Sequence, residues 1–304
     1  MSMKSAASFT ENRRFSRGAG ITRTLAGLLG LVLFTAAASA EPSVYVVNLN
    51  QQFGTVDLAT GAFHPIGAPT PDGLSNLVWW KDGSLLSLAT SGNNAGSLVK
   101  INPANGEETL IGPTGLGFNA FDLGEVRGKL YVTDFSNNIY SVDPETGAAT
   151  FIRPTGMPPD PTVPFTINSN GTLNLCDETL YGIRGKFYAT FDSLDIDPNP
   201  GDANYLGVNV HVSPNVYEID PETGVATPIA PTALGLGATV EVDGKVYAFT
   251  AVVTAFVDGF PQAYNQLLTL NLETGETQFV TNVDPTVGPI FGAAPVRRRW
   301  AEER

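Results

Sequence analysis

The chain has 304 residues, of which 42% are hydrophobic and one is a cysteine, with 17 Lys and Arg against 30 Asp and Glu. The formal net charge of −13 repels phosphate backbones, so no nucleic-acid partner is expected. The single cysteine, Cys176, excludes an internal disulfide, and the hydrophobic content is sufficient for a large folded core.

The first forty residues have the order of a secretory signal peptide. A basic segment precedes a ten-residue apolar run, Leu25–Phe34, and the small residues Ala38-Ser39-Ala40 follow as a cleavage site. The run is too short to span a bilayer comfortably, which disfavours the alternative of an N-terminal membrane anchor. Residues 1–40 are therefore predicted to be removed, leaving a secreted or periplasmic protein that begins at Glu41. The pair Arg13-Arg14 leaves the export route open.

Removal of this leader makes the charge more negative. Residues 41–304 keep twelve Lys and Arg against twenty-nine Asp and Glu, a net charge of −17. Four of the twelve basic residues lie within 297–304, which has no strand pattern and is predicted to be a short basic tail. So acidic a body favours solubility and attracts cations.

From Ser43 the chain reads as short alternating strands, and no segment has the apolar spacing of a helix. One kind of hairpin recurs, in which a two-residue turn containing Gly joins two strands rich in Tyr, Val, Phe and Thr. Its copies are Leu77–Thr90, Phe121–Asp134, Thr179–Asp192 and Ala238–Ala251. Each copy predicts an antiparallel pair of strands.

A second kind of hairpin follows each copy of the first. It is clearest in Val142–Gly156, which contains Asp-Pro-Glu-Thr-Gly, and it returns in Ile219–Ala233. Weaker copies are Val56–Thr70, Ile101–Gly115 and Leu270–Thr286. Asp or Asn opens such a turn by bonding its own backbone, Pro presets φ, and Gly supplies a positive φ. We therefore interpret the recurring Asp as a turn residue and not as a ligand.

The two hairpins together give four strands per unit, and five copies of the turn give five units. Tandem four-stranded antiparallel units predict an all-β fold, a five-bladed β-propeller that spans residues 41–296. The first unit lacks its first strand, and Gly288–Val296 lies where that strand belongs, so the N- and C-terminal strands are predicted to pair and close the ring. Six blades are the alternative, because the 77-residue interval between Asp143 and Asp220 could hold another unit.

Three segments rich in Pro, Asn, Asp and Gly interrupt the repeat. They are Met157–Thr172, Asp192–Pro214 and Phe256–Gln266. Insertions in repeat proteins map to loops on one face, which is often the binding face. We therefore expect the binding surface of this protein to be formed by these insertions.

The segment Leu130–Thr150, in which a strand precedes the Asp-Pro-Glu-Thr-Gly turn, resembles the secreted bacterial β-propeller repeat proteins. Lactonase-like and quinoprotein-like repeats share this Asp-Pro-x-Thr-Gly hairpin. The resemblance implies architecture and carries no chemistry. It implies no quinone cofactor, because quinoprotein-like blades repeat their tryptophans regularly and this chain has only Trp79, Trp80 and Trp300. Five-bladed propellers include glycoside hydrolases and lectins.

The second insertion contains the best metal candidates. Its oxygen-bearing side chains are Asp192, Asp195, Asp197, Asn199 and Asp202. Hard oxygen ligands at alternating positions suit calcium, which an acidic protein attracts. The spacing is not that of an EF-hand, because Pro200 stands where that loop turns on Gly, and a solvated acidic loop is the alternative.

Polar side chains on the first strand of each unit are the candidates to line the channel. They are Asn76, Asp122, Asp177, Glu178 and Glu241. Paired carboxylates could act as general acid and base on a sugar, which makes the four acidic residues the candidate catalytic groups. A solvated polar lining is the alternative. No nucleophilic triad can be assembled, and neither His64 nor His211 has a partner at metal-ligand spacing.

The sequence favours an exported, monomeric binding protein that recognises a small molecule, a glycan or a protein without catalysis. The alternative is a carbohydrate-active or lactone-hydrolysing enzyme that uses channel carboxylates, with calcium as its only expected cofactor. A structural component of the cell envelope is a third hypothesis. Three carboxylates converging at one mouth of the channel would favour the enzyme, whereas a channel filled by apolar side chains would exclude it.

Overall fold

A computed structural model describes residues 42–157, 173–196, 215–232, 235–257 and 260–297, with backbone alone for 173–178, 191–196, 253–257 and 260–263. Twenty strands in these residues form five four-stranded antiparallel sheets, accompanied by one short 3-10 helix, Gly117–Asn119. In the part of the chain described, no helix is long and apolar enough to cross a membrane. The predicted all-β fold with five blades is confirmed.

Each blade is one sheet, and its strands run outward from the axis in sequence order. The first blade is the exception, because the last strand of the chain is its innermost strand. This blade contains β20 (Ile290–Pro295), β1 (Ser43–Asn48), β2 (Phe53–Asp57) and β3 (Phe63–Pro65). The second contains β4 (Leu74–Trp79), β5 (Leu85–Ala89), β6 (Ser97–Ile101) and β7 (Glu108–Pro113). The third contains β8 (Ala120–Val126), β9 (Lys129–Asp134), β10 (Asn138–Val142) and β11 (Ala149–Pro154).

The last two blades contain the longest strands of the chain. The fourth consists of β12 (Leu173–Ile183), β13 (Lys186–Ile196), β14 (Asn215–Ile219) and β15 (Ala226–Pro231). The fifth consists of β16 (Ala238–Val242), β17 (Lys245–Val257), β18 (Phe260–Leu270) and β19 (Thr277–Asn282). Within the long interval that could have held a sixth blade, the described strands β12 and β13 belong to the fourth blade, where they pair over eleven residues.

Antiparallel pairing of the chain ends closes the ring as the sequence predicts. β20 pairs with β1 from Val44 opposite Pro295 to Asn48 opposite Ile290, with one β-bulge. The five inner strands then follow one another around the axis. Closure leaves no unpaired inner strand in the first blade, which removes an exposed edge.

Apolar side chains between neighbouring blades form the core. Five clusters of buried residues each join two successive blades, so the core is divided into five layers. Between the fifth and first blades, Phe249 packs with Val44 and Val46. Between the third and fourth, the rings of Tyr131 and Phe187 lie 5.2 Å apart. Each layer buries the face that a single blade leaves exposed, which makes the blades mutually dependent.

The Asp-Pro-Glu-Thr-Gly turns join the third and fourth strands of the blades. In the third blade, Asp143 Oδ1 accepts a hydrogen bond from the backbone N–H of Glu145 at 2.8 Å. The N–H of Gly147, whose φ is 78°, donates to the Asp143 carbonyl. The predicted structural role of the turn Asp is confirmed. Because its carboxylate accepts backbone N–H bonds, the pKa of Asp143 is lowered.

The same turns also make contacts between blades. A Cβ added to Gly147 would lie 2.2 Å from the carbonyl oxygen of Gly112 in the preceding blade. A Cβ at each equivalent turn glycine would lie 2.0–2.8 Å from an atom of the preceding blade, and these glycines are Gly61, Gly106, Gly224 and Gly275. The repeated glycine therefore meets two requirements, a left-handed backbone and close packing against the neighbouring blade.

Because all inner strands run in the same direction, the ring has two faces with different connections. The turns from first to second and from third to fourth strands lie on one face, which we call the turn face. The ten connections from second to third and from fourth to first strands lie on the other, which we call the insertion face. The three insertions lie between β11 and β12, between β13 and β14, and between β17 and β18. The strand ends that they connect all lie at the insertion face, as predicted.

Candidate functional site at the insertion face

The five inner strands each bring one residue to the middle of the channel. Strand pairing aligns Asp122, Thr179, Ala238 and Gly292, and Asn76 lies beside them at the bulge of β4. All five residues are buried, and both Asn76 and Asp122 are 2% exposed. Polar groups at this depth require hydrogen-bond partners, since an unpaired one carries a large desolvation cost.

Asn76 donates to the backbone of two other blades, and Asp122 accepts from its own strand and from the next blade. Asn76 Nδ2 donates to the carbonyl of Leu123 at 2.7 Å and also to the carbonyl of Leu180. Asp122 Oδ1 accepts from the N–H of Leu123 at 2.8 Å, and Oδ2 accepts from the N–H of Leu180 at 2.5 Å. Three inner strands are thus tied together across the axis. We call this arrangement the channel tie.

Close packing of the remaining strands completes the closure. A Cβ on Gly292 would lie 2.4 Å from the Cα of Asn76, so β20 approaches β4 with no room for a side chain. Asn76 itself has φ of 44°, in the left-handed region that asparagine tolerates better than most residues. The channel tie therefore places polar groups that are already hydrogen-bonded where the inner strands of three blades meet.

The structure separates the two predicted catalytic carboxylates whose side chains it describes. Asp122 belongs to the channel tie, whereas Glu241 lies three positions nearer the turn face and accepts from Arg184 Nε at 2.7 Å. Asp177 and Glu178 lie on β12, opposite Asp192 and Phe191, and their side chains are outside the described residues. Catalysis by the predicted set therefore stays a prediction, and Asp122 with Glu241 do not form an acid–base pair.

The predicted calcium ligands fall mostly outside the described residues. Asp192 and Asp195 are described as backbone of β13, opposite Asp177 and Asn174 of β12. Asp197, Asn199 and Asp202 lie outside the described residues. Among the side chains that are described, no group of three His, Cys, Asp or Glu could hold a metal ion. Calcium binding at the second insertion stays a prediction.

A cluster of phenylalanines that sequence reasoning did not single out lies on the insertion face. The rings of Phe121 and Phe135 are 4.7 Å apart, and Phe118, in the 3-10 helix beside them, is 73% exposed. The N–H of Phe135 donates to the carbonyl of Asn119 at 3.3 Å, which holds the two loops together. We call Phe118, Phe121 and Phe135 the phenylalanine patch.

Local strand geometry explains the position of the patch. β8 has a bulge between Ala120 and Asp122, so Phe121 is the extra residue and is turned out of the regular alternation. Below it, Asp134 accepts from Tyr140 Oη at 2.8 Å. Burial first, and then the Asp134 carboxylate, raise the pKa of Tyr140 to about 12. An aromatic residue in a Gly- and Asn-rich connection, as in Gly115–Asn119, is the sequence signal for such a patch.

A second feature that the sequence did not indicate is a pair of buried acidic side chains in the second blade. Asp72, in the connection from β3 to β4, is 1% exposed and accepts from Asn94 Nδ2 at 2.7 Å. The Glu108 carboxyl lies against it with both oxygens buried. Burial first, and then the Asp72 carboxylate, raise the pKa of Glu108 to about 7, so a proton can be shared by the pair near neutral pH. Enclosure keeps this pair away from substrates and gives it a structural role.

The comparisons with known proteins do not identify this chain. No protein-family model matches it, and no curated protein matches its sequence.

Proposed function

We propose that this protein is an exported binding protein that recognises an uncharged glycan on its insertion face, centred on the phenylalanine patch. The observation that carries the proposal is the 73% exposure of Phe118 beside the packed rings of Phe121 and Phe135. An aromatic ring in water favours a partner that covers its apolar surface, such as the C–H face of a sugar.

The chemistry around the patch supports a neutral ligand. None of the ten connections on the insertion face contains Lys or Arg, so the connections offer no cation for a phosphate or carboxylate. The connections offer amide groups instead, among them those of Asn93 and Asn119. Amides donate and accept hydrogen bonds and can therefore bind sugar hydroxyls without a charge.

Binding without catalysis agrees with the state of the channel carboxylates. Asp122 accepts two backbone hydrogen bonds in the channel tie, and Glu241 is ion-paired at the turn face. A general acid or base has to reach the reacting atom, and Asp122 is buried in the channel tie, while Glu241 lies three positions away at the turn face. The enzyme hypothesis now depends on Asp177 and Glu178, and hydrolysis of a glycoside or lactone that is lost in the Asp177→Asn and Glu178→Gln variants would establish it.

Export and calcium binding belong to the same proposal. The signal-peptide pattern of residues 1–40 supports export to the periplasm or the medium. Cleavage before Glu41 would be visible as the N-terminus of the secreted protein. The carboxylates of the second insertion, Asp192, Asp195 and Asp197, are the proposed ligands of this calcium ion. A melting temperature that does not change with calcium or chelator would contradict that part of the proposal.

A glycan array followed by calorimetry tests the main proposal. Residues 41–304 contain every described strand and both partners of the ring closure, and they are the protein to use. We expect a neutral glycan to bind and Phe118→Ala to weaken binding about tenfold, the loss of one aromatic contact. Phe151→Ala is the matched control, because Phe151 is 55% exposed but lies on the outer strand β11. Equal losses in both variants would contradict the proposal.

A further inference from the structure

A cleft between the fourth and fifth blades opens on the turn face. Its volume is about 620 Å³, within the range of roughly 300–1,000 Å³ that is usual for small-molecule sites. Tyr188, which is 7% exposed, and the buried Val246 belong to its lining. The charged residues that line the cleft are two cations and two carboxylates, and they are Arg184, Lys245, Glu273 and Glu276.

The equivalent boundary between the third and fourth blades is closed by two contacts. Tyr131 Oη donates to the carbonyl of Pro221 at 3.1 Å, and Lys129 Nζ pairs with Glu222 at 3.1 Å. Both contacts cross from the second strand of one blade to the third-to-fourth turn of the next blade. They bridge the gap that stays open one boundary later.

Neither contact forms between the fourth and fifth blades, although the sequence repeats the side chains. Tyr188, Lys186 and Glu273 occupy the equivalent positions. Among the described residues, Tyr188 Oη makes no hydrogen bond. Lys186 pairs with Glu218 of its own blade at 2.9 Å. Glu273 is therefore left without an ion pair in the described part of the chain.

Lys245 contributes a cation that is also unpaired. By the repeat, its partner belongs to the third-to-fourth turn of the first blade, where Ala59 stands in place of a glutamate. Within the described residues, neither Lys245 nor Glu276 forms an ion pair. Arg184, by contrast, pairs with Glu241 at 2.7 Å. The cleft therefore presents one free cation on its inner side and two free carboxylates on its outer side.

Strand register sets the separation of these opposite charges. The pairing of β17 with β18, in which Tyr247 lies opposite Thr269, places Lys245 opposite Asn271. The N–H of Asn271 donates to the carbonyl of Glu276 on the next strand at 2.9 Å. The backbones of Lys245 and Glu276 are therefore two strand spacings apart, about 10 Å. An extended chain of three residues spans the same distance, about 10 Å.

The Tyr188 hydroxyl lies in a region of mixed charge. Burial raises the pKa of this hydroxyl, which therefore stays protonated at neutral pH. Charged groups of both signs act on it, and they belong to Lys186, Glu218, Arg184 and Glu273. A neutral hydroxyl that has no partner among the described residues can donate to a peptide carbonyl or accept from a peptide N–H.

We propose that this cleft binds a short peptide with free termini, extended across the strands of the fifth blade. Lys245 binds the terminal carboxylate, and Glu273 and Glu276 bind the terminal ammonium. The Tyr188 hydroxyl and the Gln278 amide, which also lines the cleft, bind the peptide groups between the termini. Such a ligand has no net charge, so the acidic third-to-fourth turns do not repel it. A free amino acid carries both charges on one carbon and cannot reach both sides of the cleft.

An NMR titration of residues 41–304 with trialanine tests the proposal. We expect trialanine to bind about fivefold more tightly than N-acetyl-trialanine or trialanine amide, the effect of losing one exposed ion pair. Free alanine should bind more weakly than trialanine. Lys245→Gln should weaken trialanine binding about fivefold and abolish the preference for trialanine over its amide. The melting temperatures of the variants show that they remain folded.

Lys129→Gln is the matched control, because it removes the equivalent lysine at the boundary that is already closed. It should leave trialanine binding unchanged. Phe118→Ala should also leave it unchanged, because the phenylalanine patch lies on the other face, so this proposal and the glycan proposal fail separately. Absence of trialanine binding, equal affinity for the amide, or an equal loss in Lys129→Gln or Phe118→Ala would overturn the proposal.

Discussion

The two faces of this propeller are made from the same strands and differ in almost every other respect. The turn face has short turns and ion pairs, whereas the strands that flank the three insertions end at the insertion face, which carries the phenylalanine patch and no Lys or Arg in its connections. The difference follows from topology. Third-to-fourth turns pack against the preceding blade and so are fixed in length and sequence, while the other connections are free to vary.

The first prediction tests the channel tie, which separates the two faces. In Asn76→Ala, the buried carbonyls of Leu123 and Leu180 lose their amide donor, and an alanine has to adopt φ of 44°. We expect the free energy of unfolding to fall by about 4 kcal/mol, from roughly 1–3 kcal/mol for each unpaired group and about 1 kcal/mol of backbone strain. Denaturant titration measures this change.

The matched control for the channel tie is Asn50→Ala. Asn50 is exposed, and its amide donates to the carbonyl of Val287 at 3.1 Å. Loss of this hydrogen bond should lower the free energy of unfolding by less than about 1 kcal/mol, because water can replace the amide. If both variants unfold at the same denaturant concentration, Asn76 does not tie the inner strands together.

The second prediction tests whether packing of the turn face against the preceding blade fixes its repeated sequence. Gly147→Ala places a Cβ 2.2 Å from the Gly112 carbonyl oxygen at φ of 78°, and Gly244→Ala has a similar φ of 77° with open space around the Cβ. We expect the free energy of unfolding to fall by about 3 kcal/mol in Gly147→Ala and by about 1 kcal/mol in Gly244→Ala. Only Gly147→Ala adds a steric clash to the backbone strain. Thermal unfolding of the two variants compares them, and equal losses would mean that backbone strain alone explains the glycine.

The sequence was sufficient for the fold because local chemistry determines it. The turn at Asp143 is encoded within six residues, and its copies give the number of blades. Pairing of Gly288–Val296 with the first blade followed from a missing strand in a regular repeat. Each inference needed only period-2 alternation and turn residues, which act over short distances along the chain.

The site was less predictable because its contacts are distant in sequence. The channel tie joins Asn76 to Leu180, and nothing near either residue marks the other. Glu241 was grouped with Asp122, although counting back from the Gly-Lys pair of each hairpin aligns Glu241 with Glu125. The bulge at Phe121 further shifts the register of β8, and a bulge depends on tertiary packing and not on local pattern.

The third and smallest expected effect concerns the acid pair that links an insertion-face connection to an outer strand. Burial and the Asp72 carboxylate raise the pKa of Glu108 from 4.5 to about 7, so the folded protein holds a proton that the unfolded chain releases. The contribution of the pair to the free energy of unfolding is therefore complete below pH 4.5, and it is lost as pH rises through about 7. Allowing for solvent screening of a half-buried group, we expect a loss of about 1 kcal/mol. Urea unfolding at several pH values should show this slope in the wild type and in Glu107→Gln, the exposed neighbour, but not in Glu108→Gln. The same slope in Glu108→Gln would assign it to other groups.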